Sequence, residues 1–310
     1  YVEYYDTTDT QWWEIDYGPD PFVPSENFNT VLWTGNATAR SITNVGFEPD
    51  FTWIKTRTRD YDPFLFDSVR GVTKVLKSDQ TVAQSTFSQS LTSFDTNGFS
   101  LGSTINVNAT SEDYVAWNWK AGGAAVSNPN GTLTSTISAN VDAGFSIVKY
   151  TGNGSSSATI GHGLGKMPAM VITKLSEQSS GGSPSSVWTI YHKDLAGNVS
   201  GDNPYNLYFD TSAQIDSTAF GAYNNITTDV IPVTRNHYTQ SNNSSGCIYI
   251  AYCFAEIDGY SKIGSYTGTG TTDNTIVTGF EPAFVMIKQS SATRNWYIVD
   301  NKRNPSNPAN

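Results

Sequence analysis

Short runs in which large apolar residues alternate with small or polar ones recur along the chain, and one of them is written almost twice. Gly46 to Lys55 reads GFEPDFTWIK, and Gly279 to Lys288 reads GFEPAFVMIK. Read as a strand, the first copy puts Phe51, Trp53 and Lys55 on one face and Thr52 and Ile54 on the other, because successive side chains point to opposite sides. The last copy repeats this with Phe284, Met286 and Lys288, and a weaker middle copy does so with Met170, Ile172 and Lys174. A recurring bulky face fixes the register, since a one-residue slip would turn it outward. Proline precedes each strand, where its missing N–H costs no ladder bond. The preceding glycine supplies a turn. A second motif has the same period: Val115, Trp117 and Trp119 alternate with Tyr114, Ala116 and Asn118, and Ile250, Tyr252 and Phe254 repeat the large face. Phe51, Trp53, Trp117, Trp119, Met170, Tyr252 and Phe254 are therefore expected in the core, and of the tryptophans in repeat strands (Trp53, Trp117, Trp119, Trp188 and Trp296) most are expected there. Turn signals at Asn97-Gly98, Asn130-Gly131 and Asp258-Gly259 separate the runs. No amphipathic helix longer than two turns is apparent.

The spacing of the motifs defines a repeat. Trp33-Thr34-Gly35, Tyr150-Thr151-Gly152 and Tyr266-Thr267-Gly268 open three units, their aromatics 117 and then 116 residues apart. From that aromatic to the proline is 16, 18 and 16 residues, and from proline to lysine always six. A unit of this length is large enough to bury a core. The fold class expected is all-β: tandem antiparallel β-sandwich, jelly-roll-like repeat domains with an extended N-terminal arm. The boundaries are an arm at 1–26, repeat 1 at 27–123, a linker or edge strand at 124–143, repeat 2 at 144–257, and the start of a truncated repeat 3 at 258–310. A chain that opens on Tyr1 and stops inside a third unit is expected to be a fragment of a longer protein.

Charge and composition narrow the chemistry. Only 15% of the 310 residues are charged, 13% are aromatic, and the net charge is −10. An acidic chain with scattered Lys and Arg is not expected to bind nucleic acid, which requires clustered cations. No apolar run approaches the roughly 20 residues of a membrane helix, so no membrane insertion is expected. Cys247 and Cys253, about 20 Å apart along a strand, are too distant for a disulfide. Asp67 and Asp300 hold matching positions, but the middle unit has His192 there. An acid lost from one repeat reads as a turn or ion-pair partner of the strand-end lysine rather than half of a glycosidase pair. His162, His192 and His237 read as surface or turn histidines. Asp60 with Asp62, and the Asp6 to Asp9 segment, are too sparse for a calcium loop. No catalytic, cofactor-binding or metal residue is assigned, no cofactor is expected, and the chain is not expected to be an enzyme.

The motifs in order are Asn27-Phe28-Asn29-Thr30-Val31-Leu32, Trp33-Thr34-Gly35-Asn36, GFEPDFTWIK, Phe66-Asp67-Ser68-Val69-Arg70-Gly71, Leu91-Thr92-Ser93-Phe94-Asp95 and YVAWNWKAGG. FSIVKYTGNG, GHGLG and YIAYCFAE follow, then GSYTGTG and WYIVDNKRNP. Together they resemble a repeat domain of unknown function from tailed bacteriophages and prophages, especially marine ones, over nearly the whole chain from Asn27. The resemblance implies a virion structural protein, a tail fibre or tail-attached adhesin, located in the virion with tail favoured over head. It carries no established catalytic residues. The partners it implies are other copies of the chain, other virion proteins and a host-surface polysaccharide. A carbohydrate-binding module of a secreted bacterial protein and a head-decorating fibre are the alternatives. The arm, with Trp12, Trp13, Tyr17 and Phe22, is expected to pack on the first unit or a neighbouring chain, as in a homotrimer.

Overall fold

The computed structural model describes residues 22–179, 186–195, 207–209, 225–234, 242–272 and 274–303. Among them the only helices are a single 3-10 turn, Pro24–Glu26, and the short α1, Ile105–Asn108. The first unit comprises β1 (Phe28–Thr34), β2 (Arg40–Thr43), β3 (Phe51–Thr56), β4 (Phe64–Asp67), β5 (Lys74–Lys77), β6 (Ser85–Thr86), β7 (Leu91–Asp95), β8 (Gly98–Leu101) and β9 (Asp113–Trp119). The second comprises β10 (Val126–Asn128), β11 (Ser135–Asn140), β12 (Phe145–Thr151), β13 (Ala158–Gly161), β14 (Met170–Glu177), β15 (Thr189–His192), β16 (Val230–Val233) and β17 (Ile248–Phe254). The third contributes β18 (Phe284–Ile287) and β19 (Tyr297–Asp300). The fold is all-β, and every ladder between named strands is antiparallel.

The repeat is visible in the strand order. The first main sheet runs β1-β9-β3-β4-β5-β6, the second β10-β11-β12-β17-β14-β15. In both, the tail strand (β9 or β17) lies between the unit's opening strand and the strand that follows the proline. Register agrees as well: Phe51, Trp53 and Lys55 face Trp119, Trp117 and Val115, while Met170, Ile172 and Lys174 face Phe254, Tyr252 and Ile250. Segment 124–143 supplies β10 and β11, the two strands at one edge of the second sheet. Gly46 and Gly279 have φ of +92° and +89°, a backbone conformation open to glycine, so the duplicated Gly-Phe-Glu-Pro run makes the same turn twice.

Each main sheet is covered on both faces. One face of the first sheet (Val31, Trp33, Ile54, Phe64, Phe66 and Tyr114) packs on Ile42, Phe99 and Leu101 of the small β2-β8-β7 sheet. The corresponding face of the second (Val148, Tyr150, Val171 and Tyr249) packs on Ile160, Ile231 and Val233 of β13-β16. The expected large faces are buried, with Phe51 at 3%, Trp117 at 2% and Tyr252 at 1% exposure, while Met170 and Phe254 are partly buried. Their location differs from a core inside each sandwich. They meet between the units, in one cluster shared by the first sheet, the second sheet and the β18-β19 hairpin. Burial on both faces explains why β3 and β9 lack an exposed polar side.

Candidate functional site: the shared aromatic core and its clasps

The cluster between the units is built from the same repeat positions contributed three times. Phe51 meets Tyr252 at 4.4 Å between ring centroids, and Trp119 meets Phe145 at 6.5 Å, joining units one and two. Phe284 meets Trp117 at 5.9 Å and Phe28 at 5.6 Å, joining units three and one. Trp296 meets Phe209 at 5.0 Å, joining three and two. Pairs in such tilted or edge-on arrangements contribute about 0.5–1.5 kcal/mol each beyond burial.

Polar clasps fix the orientation. In unit one the buried Asp67 accepts from Arg70 Nε at 2.5 Å, from the Arg70 N–H at 2.7 Å, and from the Tyr252 hydroxyl of unit two at 2.7 Å. Arg70 also donates to the Leu65 carbonyl at 3.0 Å and the Lys74 carbonyl at 3.1 Å. In unit three Asp300 accepts from Arg303 Nε at 2.5 Å and from the Trp117 indole of unit one at 3.0 Å, and the Arg303 guanidinium lies 5.1 Å from the Trp117 ring. Trp117 and Tyr252 hold the same place in the tail motif, so one unit's Asp-x-x-Arg grips the next unit's tail aromatic in both cases. A second contact runs the other way. The Trp188 indole of unit two donates to the Lys77 carbonyl of unit one at 2.8 Å, and the Trp296 indole of unit three to the Tyr208 carbonyl of unit two at 2.6 Å. These carbonyls are equivalent, because Leu76 pairs with Leu65 as Leu207 bridges Ile190. The contacts link one to two, two to three and three to one, and so close into a cycle.

The electrostatics follow from burial. Burial opposes the Arg70 charge, but Asp67 and Tyr252 outweigh it and hold its pKa above the ordinary value. Burial pushes the Tyr252 hydroxyl well up, with Arg70 opposing the rise and Asp67 adding to it. Burial acts to raise the Asp300 carboxyl, yet the hydrogen bonds from Arg303 and Trp117 prevail and leave it below the usual range. Each carboxylate is thus bound to its own arginine and to an aromatic donor from another unit.

Asp67 and Asp300 do form ion pairs, but with Arg70 and Arg303 rather than with the strand-end lysines. Those lysines serve backbone carbonyls. Lys55 donates to the Tyr61 carbonyl at 2.6 Å, and the buried Lys174 donates to the carbonyls of Gln80 and Ser186. The identical Asp-x-x-Arg spacing was the sequence signal for the pairing, and unit two, with His192 and Leu195, lacks it. His162 is a turn histidine but not a surface one. It is fully buried, 3.3 Å from the Thr227 carbonyl, and burial lowers its pKa. His192 accepts from the Asp194 N–H at 3.2 Å, and burial lowers it likewise. Asp62 pairs with Lys77 at 2.8 Å. Cys247 and Cys253 are free and buried. Among the described residues no three His, Cys, Asp or Glu side chains gather as a metal site, and no helix is long and apolar enough to cross a membrane. Asp6, Asp9, Trp12, Trp13, Tyr17 and His237 lie outside the described residues. Phe22, at the end of the arm, packs edge-on against Tyr260 of unit three at 5.0 Å.

A family model described as a domain of unknown function (DUF7483) matches residues 23–310, across all three repeats. No curated protein and no solved structure matches the chain.

Proposed function

This chain belongs to the DUF7483 family of domains of unknown function, and we propose that it is a non-enzymatic bacteriophage virion protein, a tail fibre or tail-attached adhesin. The observation that carries the reading is the cyclic interlock. Three repeats that would otherwise be beads on a string share one aromatic core and grip each other through buried clasps. Such a body holds an outer surface rigidly, and a rigid, weakly charged polar surface suits repeated weak contacts with host polysaccharide that add through multivalency. The resemblance of the ordered motifs to phage repeat domains supports the same reading. On this proposal the chain associates with its own copies in a closed cyclic assembly, a homotrimer, and with other virion proteins.

Antibody raised against the 310-residue chain tests this. Labelling at the tails of purified virions is the expected result. Label over the capsid would make the protein a head-decorating fibre. Label absent from particles but present on a secreted bacterial protein would replace the proposal with the carbohydrate-binding module.

A further inference from the structure

The small sheet that covers unit two is thinner than its counterpart. β13 and β16 form a two-stranded layer over Val148, Tyr150, Val171 and Tyr249, where unit one uses the three strands β2, β8 and β7. β13 is also tied to the approach to β11. The Leu133 N–H donates to the Thr159 carbonyl at 3.0 Å, and the Ser135 hydroxyl to the Gly161 carbonyl at 3.0 Å.

One end of the layer is closed by His162, which joins the turn leaving β13 to the turn entering β16. Its side chain is fully buried and both ring nitrogens are used. Nδ1 accepts from the Leu164 N–H at 3.3 Å, so the proton sits on Nε2, which donates to the Thr227 carbonyl at 3.3 Å. The His162 backbone N–H donates to the Asp229 carbonyl at 3.2 Å. Thr227 shapes the entry to β16, its hydroxyl accepting from the N–H groups of Asp229 and Val230 at 3.2 and 3.0 Å. Only one neutral tautomer satisfies this set. A second proton would have to go on Nδ1, where it would face the Leu164 N–H, donor against donor, and would place a charge away from water.

The surroundings give that charge little relief. β11, β13 and β16 carry no titratable side chain, and the two adjoining turns carry Asp229 and Lys166, both exposed. Burial acts against a charged ring, ahead of the Thr227 carbonyl and Asp229, which favour one. Unit one has Thr43 at the same place, six residues before its proline, and all three histidines of the chain lie in unit two.

We infer that His162 is an acid-released pin: protonation of its ring below neutral pH frees the β13-β16 layer and uncovers the apolar face of the second main sheet, while the shared core between the units stays closed. The sign follows from linkage. In the opened layer the ring regains its ordinary value of about 6.5, whereas the closed layer binds the proton only at lower pH, so acid favours opening. The shared core lies on the other face of the second sheet and takes no part. A thin layer can open in this way ahead of global unfolding. The inference holds whether or not the chain is a virion protein.

Hydrogen exchange of the 310-residue chain between about pH 7.5 and about pH 4.5 tests this, read as protection factors so that the intrinsic pH dependence of exchange cancels. Protection of the β13 and β16 amides should fall by up to about tenfold per pH unit below about 6.5, while that of the β8 and β9 amides stays level. His162→Gln cannot take up the proton and should flatten the profile, whatever it does to stability at neutral pH. His192→Gln and His237→Gln should keep the slope of the wild type. A slope that persists in His162→Gln, a level profile in the wild type, or an equal loss of protection in β8 and β9 would each overturn the pin.

Discussion

Replacing Asp67 by asparagine keeps the size of the side chain and removes its charge from a place where Arg70 stays buried. Asp67 has no exposed surface, Arg70 has 2%, and they meet at 2.5 Å. Removing one partner of such a pair costs about 3–5 kcal/mol, because the other charge is left uncompensated away from water. Tyr252→Phe deletes the hydroxyl that donates to that carboxylate and accepts from Arg70 Nη2 at 3.4 Å, and should cost about 1.5–3 kcal/mol, the range for a bond to a charged group. Arg59→Ala removes the exposed Arg59–Glu112 pair and should change little. Denaturant unfolding of the intact chain, followed by tryptophan fluorescence, gives all three. A cycle combining Asp67→Asn with Tyr252→Phe should show coupling well outside error, since the two residues touch across the unit boundary. Replacing the pair by His and Leu, as unit two has at 192 and 195, should recover much of the loss. An Asp67→Asn cost below about 1 kcal/mol, or equal to that of Arg59→Ala, would refute the clasp as a buried structural pair.

Trp117→Ala should cost about 3–5 kcal/mol, as expected for a buried aromatic, and should also release Arg303 and Asp300, seen as faster exchange in β19. Gly35→Val should destabilise by about 1–3 kcal/mol, because its nearest neighbours are backbone atoms that cannot turn aside; a neutral result would contradict the close approach. His162 has a lowered pKa, so its stabilising contribution is full above the unfolded value of about 6.5 and falls as pH drops toward its folded value. Asp300 is depressed too, so its share is present above about 3.9 and is lost as pH falls through the folded value; acid titration of Trp117 fluorescence should therefore show loosening only below about pH 4. Burial pushes the Cys253 thiol up to about 12, so it should resist thiol reagents until the chain unfolds.

Much of the fold could be read from residues alone, because a period of two states which side chains share a face. Phe51 with Trp53, and Trp117 with Trp119, are on one face and buried. What alternation does not state is which surface covers that face. Thr52 and Ile54 on the opposite side are buried as well, so the polar contrast that marks a sheet's outside is missing. The pattern states that the large face is core, but not that this core is the contact between units. The acids failed for a related reason. Asp67 pairs with Phe51 at one end of the β3–β4 ladder and Lys55 lies past the other end, whereas Arg70 sits in the turn that ends Asp67's own strand and folds back on it. The partners Tyr252 and Trp117 are 185 and 183 residues from the acids they hold, a separation that no local pattern reports.

The three repeats, joined by one shared core, make one folding body. Scanning calorimetry of the 310-residue chain tests it most directly, with the wild type and Asp67→Asn compared. A shared core predicts one transition whose calorimetric and van't Hoff enthalpies agree, moved as a whole to lower temperature by a substitution in unit one. Two resolved transitions, with only one of them moved by Asp67→Asn, would contradict it and return the repeats to independent domains on a string.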